Sequence, residues 1–224
     1  MVFAFFKKSD HSMEHIAARA VGMLNDARHS FDLASLALLG GASIDSVADD
    51  VRHTDHLINQ AEQDIRSELV VHISVQGAAD IGMVMGYTLL IKKIERIGDQ
   101  AKNILDLAEE GVNMGDGDDA EELMAERTTV SAMFSEAAEL LAEPDADRVS
   151  DFADRVLALT TDQQTKINDL THSDKPGKHA VPRAIYYRYL KRIAANLLGV
   201  VSTASEPLPN IDYLDDGETD ITDD

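Results

Sequence analysis

The stretch Ile91-Lys-Lys-Ile-Glu-Arg-Ile-Gly-Asp-Gln-Ala-Lys-Asn-Ile-Leu105 decides the fold of this chain. On a wheel of about 100° per residue centred on Ile94, the apolar side chains fall within about 80° and form one stripe: Val84, Tyr87, Ile91, Gly98, Ala101 and Leu105. Acidic and amide side chains lie on the flank of that stripe, at about 100° to 180°: Glu95, Asp99, Asn103 and Asp106. The segment predicts a long amphipathic helix with acids at the border of its buried face.

Two of these acids, Glu95 and Asp99, are four residues apart. This spacing places both carboxylates on one face of a helix, about one turn apart. Such a pair is suited to holding a hard cation or to accepting hydrogen bonds from a partner. The alternative is a solvated face on which neighbouring lysine and arginine side chains offset the repulsion between the acids. Spacing alone favours the solvated face.

Composition limits the classes of function. The chain has 224 residues, 44% of them hydrophobic, which is enough for one large or two small domains with a real core. The absence of cysteine excludes disulfides and thiolate metal sites. A formal net charge of −21 disfavours binding to nucleic acids and to anionic membranes. The same charge is typical of proteins from a high-salt cytoplasm, so we expect a halophilic source.

Helical periodicity runs through the whole chain, and no segment alternates as a strand would. It predicts six helices, at residues 12–39, 43–71, 81–111, 120–141, 145–171 and from near Pro182 to 204. Residues 74–80 are expected to form a short connection. No run of about 18 apolar residues is present to span a bilayer. The opening segment Met1-Val-Phe-Ala-Phe-Phe-Lys-Lys8 is expected to pack against the bundle, with a hydrophobic contact to a membrane protein or lipid interface as the alternative.

An acidic break at residues 115–119 separates two groups of three helices, which indicates an internal repeat. The pair Arg192-Ile193 matches Arg96-Ile97, and in that register both acids are lost. The predicted fold class is all-α, with two tandem three-helix bundles of which the second is degenerate. The expected boundaries are 1–114 for the first bundle, 115–119 for the linker, 120–206 for the second bundle and 207–224 for an acidic tail without fixed structure.

Residues Glu95-Arg-Ile-Gly-Asp99, with Ala101 and Asn103-Ile104 after them, closely resemble the signature of the PhoU family of phosphate-uptake regulators. Upstream, residues 55–65 resemble the preceding helix of that family, which carries Asp, Asn, Glu and Ile in this order. The pair Ala79-Asp80 also matches, although Gly82 stands where the family has arginine. The resemblance covers residues 42–111, roughly, and implies two PhoU-like bundles.

The resemblance also implies a multinuclear metal site on the acid-x-x-x-Asp motif, which falls here on Glu95 and Asp99. The surrounding family pattern implies four further residues, either as metal ligands or as side chains that hold the ligands in place: Asp55, Glu62, Asn59 and Asn103. Iron or zinc is associated with the family, whereas carboxylates by themselves also suit Mg²⁺, Mn²⁺ or Ca²⁺. Lys191 and Ala195 occupy the matching positions in the second half, so metal is expected on the first bundle only.

By this resemblance the chain is expected to be a cytoplasmic, non-catalytic regulator of phosphate uptake that docks on a phosphate transporter, a sensor histidine kinase, or both. Homodimerisation and an indirect membrane association through the partner are implied as well. One alternative is an accessory regulator of another transporter, such as an inorganic-phosphate permease. A second alternative is a metal-dependent enzyme or metal store, which the lack of any Glu-x-x-His disfavours. A purely structural dimerisation module is the third.

Overall fold

The computed structural model describes residues 11–205, apart from the side chains of residues 11, 12, 78 and 205. Six α-helices follow in order, with a short 3₁₀ helix at Ala78–Asp80: α1 His11–Leu38, α2 Ile44–Gln76, α3 Ile81–Glu109, α4 Ala120–Ala142, α5 Ala146–Thr171 and α6 Gly177–Ser205. No strand occurs among the described residues, which confirms the all-α prediction. The expectations for residues 1–8 and for the tail at 207–224 lie outside the described part.

The first three helices pack through the stripe predicted for α3. Tyr87, Ile91 and Ile94 are buried, and the stripe continues with Gly98, Ala101 and Leu105. A Cβ at Gly98 would lie 3.2 Å from Ile58 Cδ1, so this glycine permits the close approach of α2 and α3. The close approach brings the polar borders of the two helices together at the candidate site.

The two halves of the chain share one hydrophobic core. Helix α1 packs on α4, and α3 packs on α6. At the first junction the rings of Phe31 and Phe134 stack with centroids 5.5 Å apart. At the second, the buried side chain of Lys93 lies against Gly199, where a Cβ would meet it at 2.5 Å. Burial of apolar surface therefore stabilises the halves jointly.

Two helix ends differ from the sequence prediction. Helix α2 continues five residues beyond 71, to Gln76, because Gly77 with φ of 80° is the residue that leaves the helical conformation. Helix α6 begins at Gly177 rather than near Pro182. The carbonyl of Pro176 accepts hydrogen bonds from His179 N and Ala180 N, so the first turn of α6 forms before Pro182. Pro182 has no backbone N–H, and it therefore removes only one hydrogen bond from the helix.

The connection between the halves is held by an ion pair. The Arg183 guanidinium of α6 donates to both carboxylate oxygens of Asp119, at 2.5 and 2.7 Å. The same connection is tied to the end of α1 by a hydrogen bond from Met114 N to Leu38 O, at 3.0 Å. Because Arg183 is buried, its charge depends on Asp119 for compensation.

The Asp119→Asn variant is expected to lower the free energy of unfolding at pH 7 by about 1–3 kcal/mol, since a buried guanidinium loses its charged acceptor. The hydrogen bond from Arg183 holds the pKa of Asp119 below its usual value despite partial burial. The ionised carboxylate therefore stabilises the fold above the unfolded-state pKa, and this contribution disappears as the pH falls through the depressed folded-state pKa. Urea unfolding at several pH values should show that the difference in the free energy of unfolding between wild type and Asp119→Asn shrinks towards low pH. A difference that is independent of pH would contradict this assignment.

Candidate functional site

The predicted acids come together on one side of the α2–α3 pair. We call the carboxylates of Asp55, Glu62, Glu95 and Asp99 the acidic face. Lys92 Nζ joins the two helices, because it lies 2.6 Å from Glu95 Oε2 and 3.9 Å from Glu62 Oε1. The side chains of Glu62 and Glu95 are only 8% and 12% exposed. The spacing argument thus placed Glu95 correctly, at the border of the buried stripe.

Asp99 lies among other carboxylates of the acidic face. Partial burial raises the pKa of Asp99 above its usual value, and the neighbouring carboxylates of Glu95 and Asp55 raise it further. Lys102 and Lys92 act in the opposite direction without cancelling the effect. A carboxylate with a raised pKa lies where added positive charge is favourable. The acidic face is therefore suited to a cationic partner, whether a metal ion or a basic side chain.

Cationic side chains already lie within this face. Besides Lys92, Arg66 lies 2.7 Å from Glu62 Oε1 and Lys102 lies 3.6 Å from Asp55 Oδ2. Even so, Glu62 Oε1 and Glu95 Oε2 are buried oxygens that accept no hydrogen bond of regular geometry among the described residues. Buried oxygens of this kind are the hard donors that divalent cations prefer.

The donor chemistry thus fits a metal ion, whereas the side-chain arrangement holds lysine and arginine in its place. Within residues 11–205, no three His, Asp or Glu side chains converge closely enough to hold a metal ion. The residues that would hold one are Glu95 and Asp99, with Asp55 and Glu62 beside them, after Lys92 has turned away. Bound there, a metal would supply positive charge that cross-links α2 to α3.

The two asparagine candidates take different places. Asn59 Nδ2 donates to Asp55 Oδ2 at 3.5 Å, so Asn59 supports a carboxylate of the acidic face. Asn103 lies half-buried one turn beyond Asp99, and no hydrogen bond or ion pair among the described residues joins it to the face. The structure therefore brings five of the six predicted site residues together and leaves Asn103 at the margin.

The second half carries a different polar cluster, which the sequence analysis missed. The Lys166 ammonium of α5 pairs with Glu126, with Glu122 at 2.9 Å and with Asp162 at 3.0 Å. Burial lowers the pKa of Lys166, but the hydrogen bonds to these three carboxylates outweigh it and raise the pKa overall. Only the four-residue spacing of Asp162 and Lys166 was visible in the sequence, because the other two acids come from α4.

In the second half, the residue that matches Glu95 is Lys191, which contacts a side chain of α5. Lys191 Nζ donates to Gln164 Oε1 at 2.8 Å, and Ala195 takes the place of the second acid. Lys166 also lies 5.2 Å from the centre of the Tyr187 ring. A fixed ammonium group thus balances the acids of this half, and the carboxylate pair is confined to the first half.

Other histidine-containing patterns do not form sites. His72 Nε2 lies 3.0 Å from Asp80 Oδ2, whereas Glu68 pairs with Arg19 and His15, so Glu68 and His72 do not act together. In α6, Tyr186 and Tyr187 are buried in the core and are not part of an exposed site. Among the helices of residues 11–205, none is long and apolar enough to cross a membrane.

These observations define the class: an all-α protein of two packed three-helix units, with the Glu95 and Asp99 carboxylate pair on the first unit and Lys191 and Ala195 at the matching positions of the second. Residues 13–108, which contain the whole acidic face, match the family model of the PhoU domain. None of the curated proteins matches the sequence significantly.

Two solved structures share the fold across nearly the whole chain. PhoU from Pseudomonas aeruginosa superposes with a TM-score of 0.73 at 22% identity, covering 91% of this chain and 96% of its own. The phosphate transport system regulatory protein PhoU from Streptococcus pneumoniae superposes with a TM-score of 0.69 at 17% identity, covering 93% of this chain and 98% of its own. At these identities the likeness shows that the chain has the PhoU fold.

Proposed function

We propose that this chain is a PhoU-type regulator of phosphate transport that acts by docking rather than by catalysis. The observation that carries the proposal is the PhoU-domain match over residues 13–108, which coincides with the acidic face. The likeness in fold to a phosphate transport system regulatory protein, over 93% of this chain, supports it. A phosphate transporter, a sensor histidine kinase, or both would be the partners, met on the cytoplasmic side of the membrane.

The acidic face is the surface we assign to this docking. Its charge is partly desolvated and crowded, as the raised pKa of Asp99 indicates. A basic partner surface that replaced Lys92 would form ion pairs with the largely buried carboxylates of Glu62 and Glu95. The ion pairs seen within the free chain would then be exchanged for ion pairs with the partner.

A binding measurement with purified components tests the docking. The wild-type protein and Glu95→Gln/Asp99→Asn are titrated with the cytoplasmic subunit of the phosphate transporter and with the sensor kinase from the same organism. We expect at least one partner to bind, with affinity reduced about tenfold or more in the variant, since two charge-assisted contacts are lost. Glu121→Gln/Glu122→Gln on α4 is the matched control. Equal affinity of all three proteins would exclude the acidic face as the docking surface.

We further propose that a metal ion binds at Glu95 and Asp99 and favours the conformation in which α2 and α3 hold the ligands together. Mg²⁺, Mn²⁺, Ca²⁺, iron and zinc are the candidates. Mass spectrometry of the purified protein should find metal in the wild type and none in Glu95→Ala/Asp99→Ala. If both proteins contain the same amount, the proposal of metal binding fails while docking stays testable by itself.

A regulator of another transporter, such as an inorganic-phosphate permease, is the closest alternative, and the same titration with that permease separates the two. A metal-dependent enzyme would instead need turnover that depends on the metal. We also propose that the chain forms a homodimer. A second proposal is that it comes from a halophilic organism, as its net charge of −21 suggests. Light scattering in molar salt measures the mass of the assembly, and the same measurement after dialysis to low salt shows whether the folded assembly needs high salt.

A further inference from the structure

Helix α6 and the loop before it are basic in an otherwise acidic chain. The chain has a formal net charge of −21, yet residues 175–205 contain no aspartate or glutamate. The lysine and arginine residues of the same stretch are Lys175, Lys178, Arg183, Arg188, Lys191 and Arg192. One part of the fold therefore carries a charge opposite to that of the whole chain.

Three of these cationic side chains are exposed and lack a carboxylate partner: Lys175, Arg188 and Arg192. None of them forms an ion pair within residues 11–205. By contrast, Arg183 is paired with Asp119, and most other lysine and arginine side chains of the described helices have acidic partners. We call Lys175, Arg188 and Arg192 the cationic border, because they line the edge of a groove.

This groove lies between the end of α5 and the first half of α6. It has a volume of about 630 Å³, and no acidic residue is among the described residues that line it. Its floor is formed by half-buried apolar side chains: Ile167, Leu170, Ala184 and Ile185. An apolar floor with a cationic border is suited to a ligand that is both apolar and anionic.

The length of the groove indicates the size of this ligand. Gly177 and Arg192 both line the groove, and they lie about 22 Å apart along the axis of α6. A single inorganic anion would occupy only one end of such a groove. A peptide segment of about 15 residues in a helix, or about seven residues in an extended strand, would span it.

We propose that the groove binds an acidic, amphipathic segment of a partner protein. Two carboxylates of that segment pair with Arg188 and Arg192, which lie one turn apart on the outer face of α6. Its apolar side chains cover Leu170 and Ile185. The groove belongs to the second half of the chain and has the opposite charge to the acidic face, so this inference does not depend on the role proposed for that face.

Other anionic partners are less suitable. Membranes and nucleic acids extend beyond the groove and would meet the surrounding surface, which a net charge of −21 makes repulsive. Such acids begin beside Tyr189: burial raises the pKa of Tyr189, and the carboxylates of Asp106 and Glu110 raise it further. A short segment stays within the cationic border, and charges more than about 8 Å away are largely screened at physiological ionic strength.

Fluorescence anisotropy with a designed peptide tests the groove. The probe is a fluorescein-labelled helical peptide of about 16 residues, with two leucines followed by two glutamates along one face. In the control peptide, both glutamates are glutamines. The full-length protein is titrated in the lowest salt at which circular dichroism shows it folded. We expect the glutamate peptide to bind at least tenfold more tightly, since two charge-assisted contacts are lost in the control. Equal affinity for the two peptides, or no binding of either, would overturn the proposal.

Protein variants locate the binding. Arg188→Gln/Arg192→Gln should weaken binding of the glutamate peptide about tenfold or more. The matched control is Arg148→Gln/Arg155→Gln on α5, which removes the same charge from two exposed arginines that already have carboxylate partners. This control should bind as the wild type does. An equal loss of affinity in both variants would show that net charge rather than the groove governs binding, and it would overturn the proposal.

Two further measurements separate the remaining occupants. The proposal expects that deletion of residues 207–224 leaves the affinity for the glutamate peptide unchanged, and that Arg188→Gln/Arg192→Gln leaves the mass by light scattering unchanged. A tenfold or greater gain in affinity on deletion would assign the groove to the acidic end of the chain itself. A lower mass of the arginine variant would assign it to a second copy. Either result would overturn the assignment to a partner protein.

Discussion

Replacing Phe31 with alanine is expected to lower the free energy of unfolding by about 3–5 kcal/mol, the largest effect of any single change proposed. Phe31 is fully buried on α1, and its ring stacks on Phe134 of α4 at 5.5 Å between centroids. The variant loses apolar burial, leaves a cavity and removes an aromatic pair. Urea unfolding followed by circular dichroism measures the change.

The same stack tests whether the two halves share one core. Phe31→Ala and Phe134→Ala should be non-additive, because the second truncation removes a contact already lost. Phe152→Ala on α5 is the matched control, being equally buried within the second half. It should combine additively with Phe31→Ala. Full additivity of Phe31→Ala with Phe134→Ala would show that the stack does not couple the halves.

The second large effect is expected at Gly115, in the connection between the halves. An added Cβ would overlap the carbonyl oxygen of Leu39 and lie 2.8 Å from Leu39 C. These are backbone atoms, so they cannot rotate away as a side chain would. Gly115→Ala should therefore lower the free energy of unfolding by about 1–3 kcal/mol through overpacking. Thermal unfolding is the measurement.

A second glycine provides the control for this substitution. Gly22 lies within α1, and nothing is within 4 Å of a Cβ placed there. Gly22→Ala should raise the free energy of unfolding by about 0.5–1 kcal/mol, since alanine loses less conformational entropy in a helix. Opposite signs at the two positions are expected. Stabilisation at both would mean that the connection is not packed against Leu39.

The sequence predicted the helices well because each is amphipathic over several turns. Its errors fall at ends where local chemistry overrides the pattern, at Gly77 after α2 and at Pro176 before α6. An apolar stripe indicates which face of a helix is buried, but it does not indicate at which residue the helix ends. Gly77 was the overlooked signal, since a glycine that leaves the helix commonly ends it.

The candidate site was predicted in part. The spacing of Glu95 and Asp99 indicated a shared face, while Asp55 and Glu62 came from resemblance to a family. The position of Lys92 between two helices was not predictable, because it depends on how far α3 slides along α2. The Lys166 cluster was missed for the same reason, since its carboxylates come from two helices.

Phosphate uptake by cells is the measurement that tests the central claim most directly. Radioactive phosphate uptake is compared in phosphate-replete cells with the gene intact, with it deleted, and with the deletion complemented by wild type or by Glu95→Gln/Asp99→Asn. The account predicts that deletion releases uptake from repression, that wild type restores repression and that the acidic-face variant does not. Uptake that is the same in the intact and deleted cells would contradict it.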